Sequence, residues 1–213
     1  MKILAPLFAA LLAVTALHAA DAPKKLLVVT TTTGFRHSSI PTAEKILAQL
    51  GAESGAFTVD YVHQPPNQPA RPKPGASADE QAAYQTAEAA WMDSLKAALQ
   101  KLSPENLKNY DGVVFASTTG DLPLPDPQGF LDWIKAGHAF IGIHAGSDTF
   151  HGWPPYIEML GGEFAHHGRQ VPVDCLVQTP ATLPSPTSAS PSISTRRKST
   201  SLRTTTPPRI MTS

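Results

Sequence analysis

Three continuous apolar, β-branched runs constrain this chain most: "KKLLVVTTTT" at 24–33, "YDGVVFAST" at 110–118 and "HAFIGIH" at 138–144. They lack the alternation of a half-exposed strand and read as strands buried on both faces. Helical patterns separate them. "SIPTAEKILAQLGA" offers Ser38 or Ser39 as a cap, Ile46, Leu47 and Leu50 as an apolar stripe, and Gly51 as a stop. "EQAAYQTAEAAWMDSLKAALQKL" leaves Tyr84, Trp91, Leu95 and Leu99 to pack, and "PQGFLDWIKAG" ends at Gly137. "PPYIEMLGG" is a short helix with Pro154 in its first turn. "FTVDYVH" (57–63) alternates as a further strand, and "RQVPVDCLVQ" (169–178) reads as the last one. The expected fold is α/β: a doubly wound, mostly parallel, flavodoxin-like sheet with right-handed crossovers and helices on both faces. "QPPNQPARPKPGASADE" (64–80) is too rich in proline for either element and reads as an extended surface insertion.

In such sheets ligands bind beyond the carboxyl ends of the strands. The loops "TTTTGFRHSS", "STTGDLPLP" and "HAGSDTFHGW" follow the first, third and fourth strands and should meet at one edge. They carry Arg36, His37, Thr118, Thr119, Asp121, His144, Asp148, His151 and Trp153. Within "FIGIHAGSD", small residues flank His144 at a strand-to-helix turn of the kind that presents a nucleophile. An imidazole there can move protons near neutral pH, ligate a metal or hydrogen-bond a sugar hydroxyl. Asp148, four residues on, is placed to orient it. Gly34 permits an unusual backbone angle that turns Arg36 and His37 toward the crevice. Arg36 suits an anionic or polyhydroxyl ligand, Trp153 offers a ring to a sugar face, and Thr118, Thr119 and Asp121 offer polar groups; each also has an ordinary packing or turn role. In "EFAHHG", Glu163 is followed by His166 and His167, one of which can face the site. Together with His37 and His144 these supply nitrogen and carboxylate ligands for a divalent metal, although no compact ligand motif is present.

The stretches "TTTTGFRHSSI", "YDGVVFASTTGD", "GHAFIGIHAGSDT" and "YIEMLGGEFAHH", in that order over about 26–178, resemble the trehalose-utilisation (ThuA-like) family, whose fold is that of the class I glutamine amidotransferases. The resemblance implies a role in carbohydrate metabolism, on trehalose-type or keto-sugar substrates. It also implies that His144 stands where the amidotransferases carry their nucleophilic cysteine, which argues against glutamine hydrolysis. His144, Asp148 and His37 are then the candidate catalytic residues. Arg36, Thr118, Thr119, Asp121, Trp153, Glu163, His166 and His167 are candidate substrate contacts. The metal, if any, stays open, as does a non-catalytic carbohydrate-binding domain or truncated pseudoenzyme as the alternative.

Seventeen Lys and Arg balance seventeen Asp and Glu, so bulk charge does not recommend a nucleic-acid partner. A small carbohydrate is the expected partner. The opening "MKILAPLFAALLAVTALHAADAPKK" has a basic start, an apolar stretch and a small-residue cleavage site, which is the pattern of a signal peptide over 1–20. Its apolar run is shorter than the roughly 20 residues of a spanning helix, so the mature chain is expected to be exported without a membrane anchor. The single cysteine, Cys175, excludes an intramolecular disulfide.

The domain is expected over 24–178, incomplete at its C-terminal end. From 179 to 213 the chain is rich in Ser, Thr and Pro, with no acidic residue and no aromatic one, and it reads as a disordered tail. A frameshift is a second reading of that tail. The codons for 198–207, read one base earlier, can spell EIYQSKNYDP, which has the acidic and aromatic character of a folded domain.

Overall fold

The computed structural model describes residues 22–173 and 195–203. The segment 1–20 read as a signal peptide, Cys175 and most of the Ser/Thr/Pro-rich tail lie outside them. Four parallel strands, β1 (Lys24–Val29), β2 (Phe57–Val62), β3 (Gly112–Ala116) and β4 (Ala139–Ile143), form a sheet in the order β2-β1-β3-β4. The chain runs outward from β1 to β2 and then returns past β1 to β3. The order therefore reverses between β1 and β3, the position where an open α/β sheet leaves a crevice.

The buried runs explain the two faces. Leu27, Val29, Val113 and Phe115 point to one side, where they pack with Trp91, Leu95 and Leu99 of α2 (Ala78–Leu99) and with Phe130 and Trp133 of α4 (Pro127–Lys135). Tyr156 of α5 (Pro154–Leu160) joins them. Phe115 is the hub, its ring 5.2–6.2 Å from those of Phe130, Phe140, Phe150 and Tyr156. The other side, with Val28, Val114 and Ala116, is covered by α1 (Ile40–Ser54) through Leu47. That cover thins toward the edge strand β4, where Ile141 is 45% exposed.

The helix α1 differs from its sequence reading. It runs through Gly51 and stops at Gly55, whose φ of 64° closes a left-handed cap. A Cβ on Gly51 would lie 2.7 Å from the Phe57 carbonyl oxygen, so this glycine permits close packing against β2. The buried residues are Ile40 and Gly51, while Ile46 and Leu50 of the expected stripe are 43% and 49% exposed. In α2 the start is set by a reciprocal capping box between Ser77 and Glu80. Gln100–Leu102, read from the sequence as the end of the same helix, tightens into a 3₁₀ turn, and the short α3 (Pro104–Leu107), not expected from the sequence, follows; Leu102 and Leu107 anchor them in the core.

The last expected strand begins earlier than its apolar pattern, as β5 (Glu163–Val173), and it does not join the parallel sheet. It pairs antiparallel with β6 (Thr195–Arg203), from Glu163 opposite Arg203 to Val173 opposite Thr195, with irregularities after Phe164 and His167. The sequence assigns no element to β6. Among the described residues no helix is long and apolar enough to cross a membrane.

Candidate functional site

The loops after β1, β3 and β4 meet at the carboxyl edge of the sheet, as the topology demands. Backbone hydrogen bonds tie them together. Thr33 N–H donates to the Thr119 carbonyl (3.0 Å), Gly120 N–H to the Asp148 carbonyl (2.9 Å) and Phe150 N–H to the Gly120 carbonyl (3.3 Å). Gly120, at φ 74°, is indispensable here: a Cβ would lie 2.4 Å from Thr33 Oγ1 and 2.7 Å from Gly34 N. Gly34 itself does not take a positive φ. It allows close approach to Thr119, whose Oγ1 would be 3.0 Å from an added Cβ.

His144 opens a 3₁₀ turn (His144–Asp148) directly after β4 and adopts a left-handed φ of 55°. Ser117, the first residue past β3, has φ 59°. The two strained residues bond each other, Ser117 Oγ to His144 Nδ1 at 3.1 Å. Each non-glycine residue in such a conformation costs about 1–3 kcal/mol and persists where the surroundings over-determine it, commonly at functional sites. The turn is held from below by Tyr156, a buried side chain whose hydroxyl donates to the Gly146 carbonyl at 2.7 Å. Burial raises that phenol's pKa and keeps it a donor.

His37 lies edge-on to His144, with ring centroids 4.5 Å apart, and Phe35 lies edge-on to His37 at 4.9 Å. The structure thus brings together the two histidines singled out by the sequence. His144 is exposed and His37 half-buried, an arrangement open to a ligand.

Asp148 takes a different partner from the one expected. Its Oδ1 receives a 2.7 Å hydrogen bond from His151 Nε2, and Glu163 Oε2 engages His151 Nδ1 at 3.1 Å. The Asp148 hydrogen bond, opposed by partial burial and aided by Glu163, raises the pKa of His151. Asp148 therefore orients His151, and Ser117 takes the orienting role at His144. Ser117 escaped the sequence reading; its signal was a small polar residue immediately past a buried strand.

The other candidates divide between structural and open positions. Arg36 Nη1 donates to the Thr30 carbonyl (2.9 Å) and to Gln64 Oε1 (3.4 Å), so its guanidinium braces the end of β1. Thr118 and Thr149 share a buried hydroxyl bond of 2.8 Å, and Thr119 Oγ1 donates to the Phe35 carbonyl at 2.9 Å. Both threonines hold loops. Trp153 stacks on Tyr156 (5.9 Å) and packs edge-on to Phe150 (5.1 Å), against the core. On β5, His166 and His167 are exposed, the latter 4.8 Å from the Phe164 ring. Among the described residues no three His, Cys, Asp or Glu side chains are grouped so as to hold a metal ion.

Asp121 is exposed and lines a cleft of about 740 Å³ beside the histidines. Thr33, Gly34 and Phe35 form its inner side, and Arg71, Tyr84 and Glu88 its outer side. Such a volume lies within the range of small-ligand sites.

No curated protein matches the chain. A crystal structure from Bacteroides uniformis ATCC 8492, described as ThuA-like, aligns at 19% identity with a TM-score of 0.41, over 72% of this chain and 51% of that one. The chain thus spans about half the length of the solved structure it matches. The pattern of the ThuA family, described as trehalose utilisation, matches residues 25–201, past the point near Gln178 where the resemblance was expected to end. The chain belongs to the ThuA family, and that description implies a carbohydrate-related role.

Proposed function

We propose that this chain is a sugar-processing protein of the trehalose-type or keto-sugar class, with His144 as its general acid or base and His37 as the second polar group on the substrate. The observation that carries the reading is the Ser117–His144 pair: two adjacent strand ends, both in left-handed backbone, bonded to each other at the edge where the sheet opens. In this left-handed turn the imidazole is exposed. Ser117 Oγ lies 3.1 Å from Nδ1 and helps to set the orientation of the ring. As a base, the imidazole at this turn takes a proton from a sugar hydroxyl or from a carbon beside a keto group and returns it later in the cycle. A histidine at the turn where the resemblance places the amidotransferase cysteine argues against a thioester route.

The N-terminal signal pattern supports export, with cleavage after Ala20; N-terminal sequencing of secreted protein should read Asp21 first. For the chemistry, His144→Ala should lower turnover of keto-disaccharides by about 10²–10⁴-fold, with the melting temperature preserved. Ser117→Ala should retain part of the activity and shift the pH profile, because it removes the ring's Oγ partner and not the acid–base group itself. Turnover by His144→Ala at the wild-type rate would end this reading.

A further inference from the structure

Phe35, in ring contact with His37, also lines the cleft, whose farther wall the carbohydrate reading does not use. Its floor is Trp91, only 5% exposed, and its rim carries Arg71, Tyr84, Glu88 and, opposite them, Asp121. Tyr84 donates a 2.6 Å hydrogen bond to Glu88 Oε1. The phenol pKa is raised chiefly by that bond, with Arg71 opposing the rise, which places the guanidinium beside the phenol.

This wall is built by the Pro-rich segment 64–76, and that segment is anchored. The Gln64 amide spans the end of β1, accepting from Thr32 N–H at 2.7 Å and donating to the Thr32 carbonyl at 3.0 Å. Trp91 Nε1 donates to the Pro65 carbonyl at 3.2 Å. Four prolines after it hold φ near one value and cut the entropy that ordering would otherwise cost.

The chemistry of the wall selects its ligand. A ring of mixed donors and acceptors suits a polyhydroxylated molecule. Two carboxylates, Glu88 and Asp121, line the cleft with a single guanidinium, Arg71, so an anionic sugar meets net negative charge. Phe35 is 69% exposed, lines the cleft and lies one ring contact from His37, which itself lies one ring contact from His144. An exposed aromatic ring at that junction can stack on the C–H face of a sugar.

We propose that this cleft is a second sugar subsite: it holds the neutral, non-reacting ring of a disaccharide or glycoside whose reacting ring sits at His37 and His144, with Phe35 between the two. The inference rests on the sugar-processing reading for its orientation and fails independently of it. The test is calorimetric titration of the full chain with trehalose, glucose and glucuronic acid, on wild type, Arg71→Ala, Glu88→Gln and His144→Ala. Wild type should bind trehalose more tightly than glucose and glucuronic acid least. Arg71→Ala and Glu88→Gln, both half-exposed or exposed sites that leave the core intact, should each weaken trehalose roughly tenfold and leave glucose unchanged. His144→Ala should keep the trehalose affinity while losing turnover. Equal affinity for trehalose and glucose, no measurable binding of trehalose, tighter binding of glucuronic acid, or wild-type trehalose affinity in both wall variants overturns the subsite. If those variants lose trehalose but His144→Ala keeps full turnover, the subsite stands and the catalytic reading falls.

Discussion

The two walls of the crevice are built by opposite means. The inner wall, from the turns after β1, β3 and β4, is stitched by backbone hydrogen bonds and carries strained φ values at Ser117, His144 and Phe150. The outer wall, the Pro-rich segment with α2, is held by side chains: Gln64 on the β1 end and Trp91 on Pro65. The inner wall continues the sheet itself, with isolated parallel bridges at Thr32–Thr119 and Gly120–Thr149. It therefore inherits the rigidity of β1, β3 and β4 and can store strain. The outer wall crosses no sheet and depends on a few anchors. Chemistry that needs a group held in an unfavourable conformation belongs on the first kind of wall, and recognition that tolerates small adjustments belongs on the second.

Four substitutions or conditions sharpen this contrast. The largest effect is expected from Gly120→Ala, which drives a Cβ into Thr33 and Gly34 while imposing an unfavourable positive φ. Overpacking and backbone strain together should cost about 2–4 kcal/mol, read by urea unfolding. A cost under 0.5 kcal/mol would mean that the inner wall is not rigid. For the outer wall, Trp91→Phe keeps much of the floor and removes the bond to Pro65. It should destabilise by about 1–2 kcal/mol, with faster amide exchange at 64–76 than at 117–120. Equal protection of both segments after the substitution would erase the distinction between the walls.

His144→Gly removes the imidazole and the conformational penalty together. It should lose turnover while gaining about 1 kcal/mol of stability, and a net destabilisation would show that His144 contributes packing that outweighs its strain. The smallest effect concerns His151. Its folded pKa is raised above the ordinary 6.5, mainly by the Asp148 bond. The stabilisation is thus fully present below about pH 6.5 and is lost as pH rises through the folded value. The side chain is 43% exposed, so solvent screening keeps the effect small. Melting temperatures should decline slightly from pH 6 to pH 9 in wild type, and His151→Gln should flatten that slope.

How legible each part was depends on what kind of force decides it. The strands β1, β3 and β4 were readable because continuous burial on both faces leaves a local signature. Their crossover order then sent the three turns to one edge, so His37 and His144 could be paired before any coordinates. The face of α1 was not readable. Of the stripe Ile46, Leu47 and Leu50 only Leu47 packs on the sheet; the helix rolls so that Ile40, Leu47 and Gly51 face inward, a choice set by the close approach of β2. Local spacing suggested Asp148 as the partner of His144, yet the 3₁₀ turn carries that carboxylate to His151, and a residue twenty-seven positions away, Ser117, takes its place. The Pro-rich segment looked like surface decoration because its value lies wholly in what it stands beside.

The sequence by itself determined the α/β class, the parallel strands, the edge where the loops gather and the histidine at the turn, because hydrophobic period and β-branched runs act locally and chain order restricts topology. Only the tertiary structure decided which acid or hydroxyl orients which histidine, where α1 turns its face, and that the Pro-rich segment closes a cleft. Those outcomes rest on distances between residues far apart in the chain, and such distances exist only after the sheet and its helices have packed.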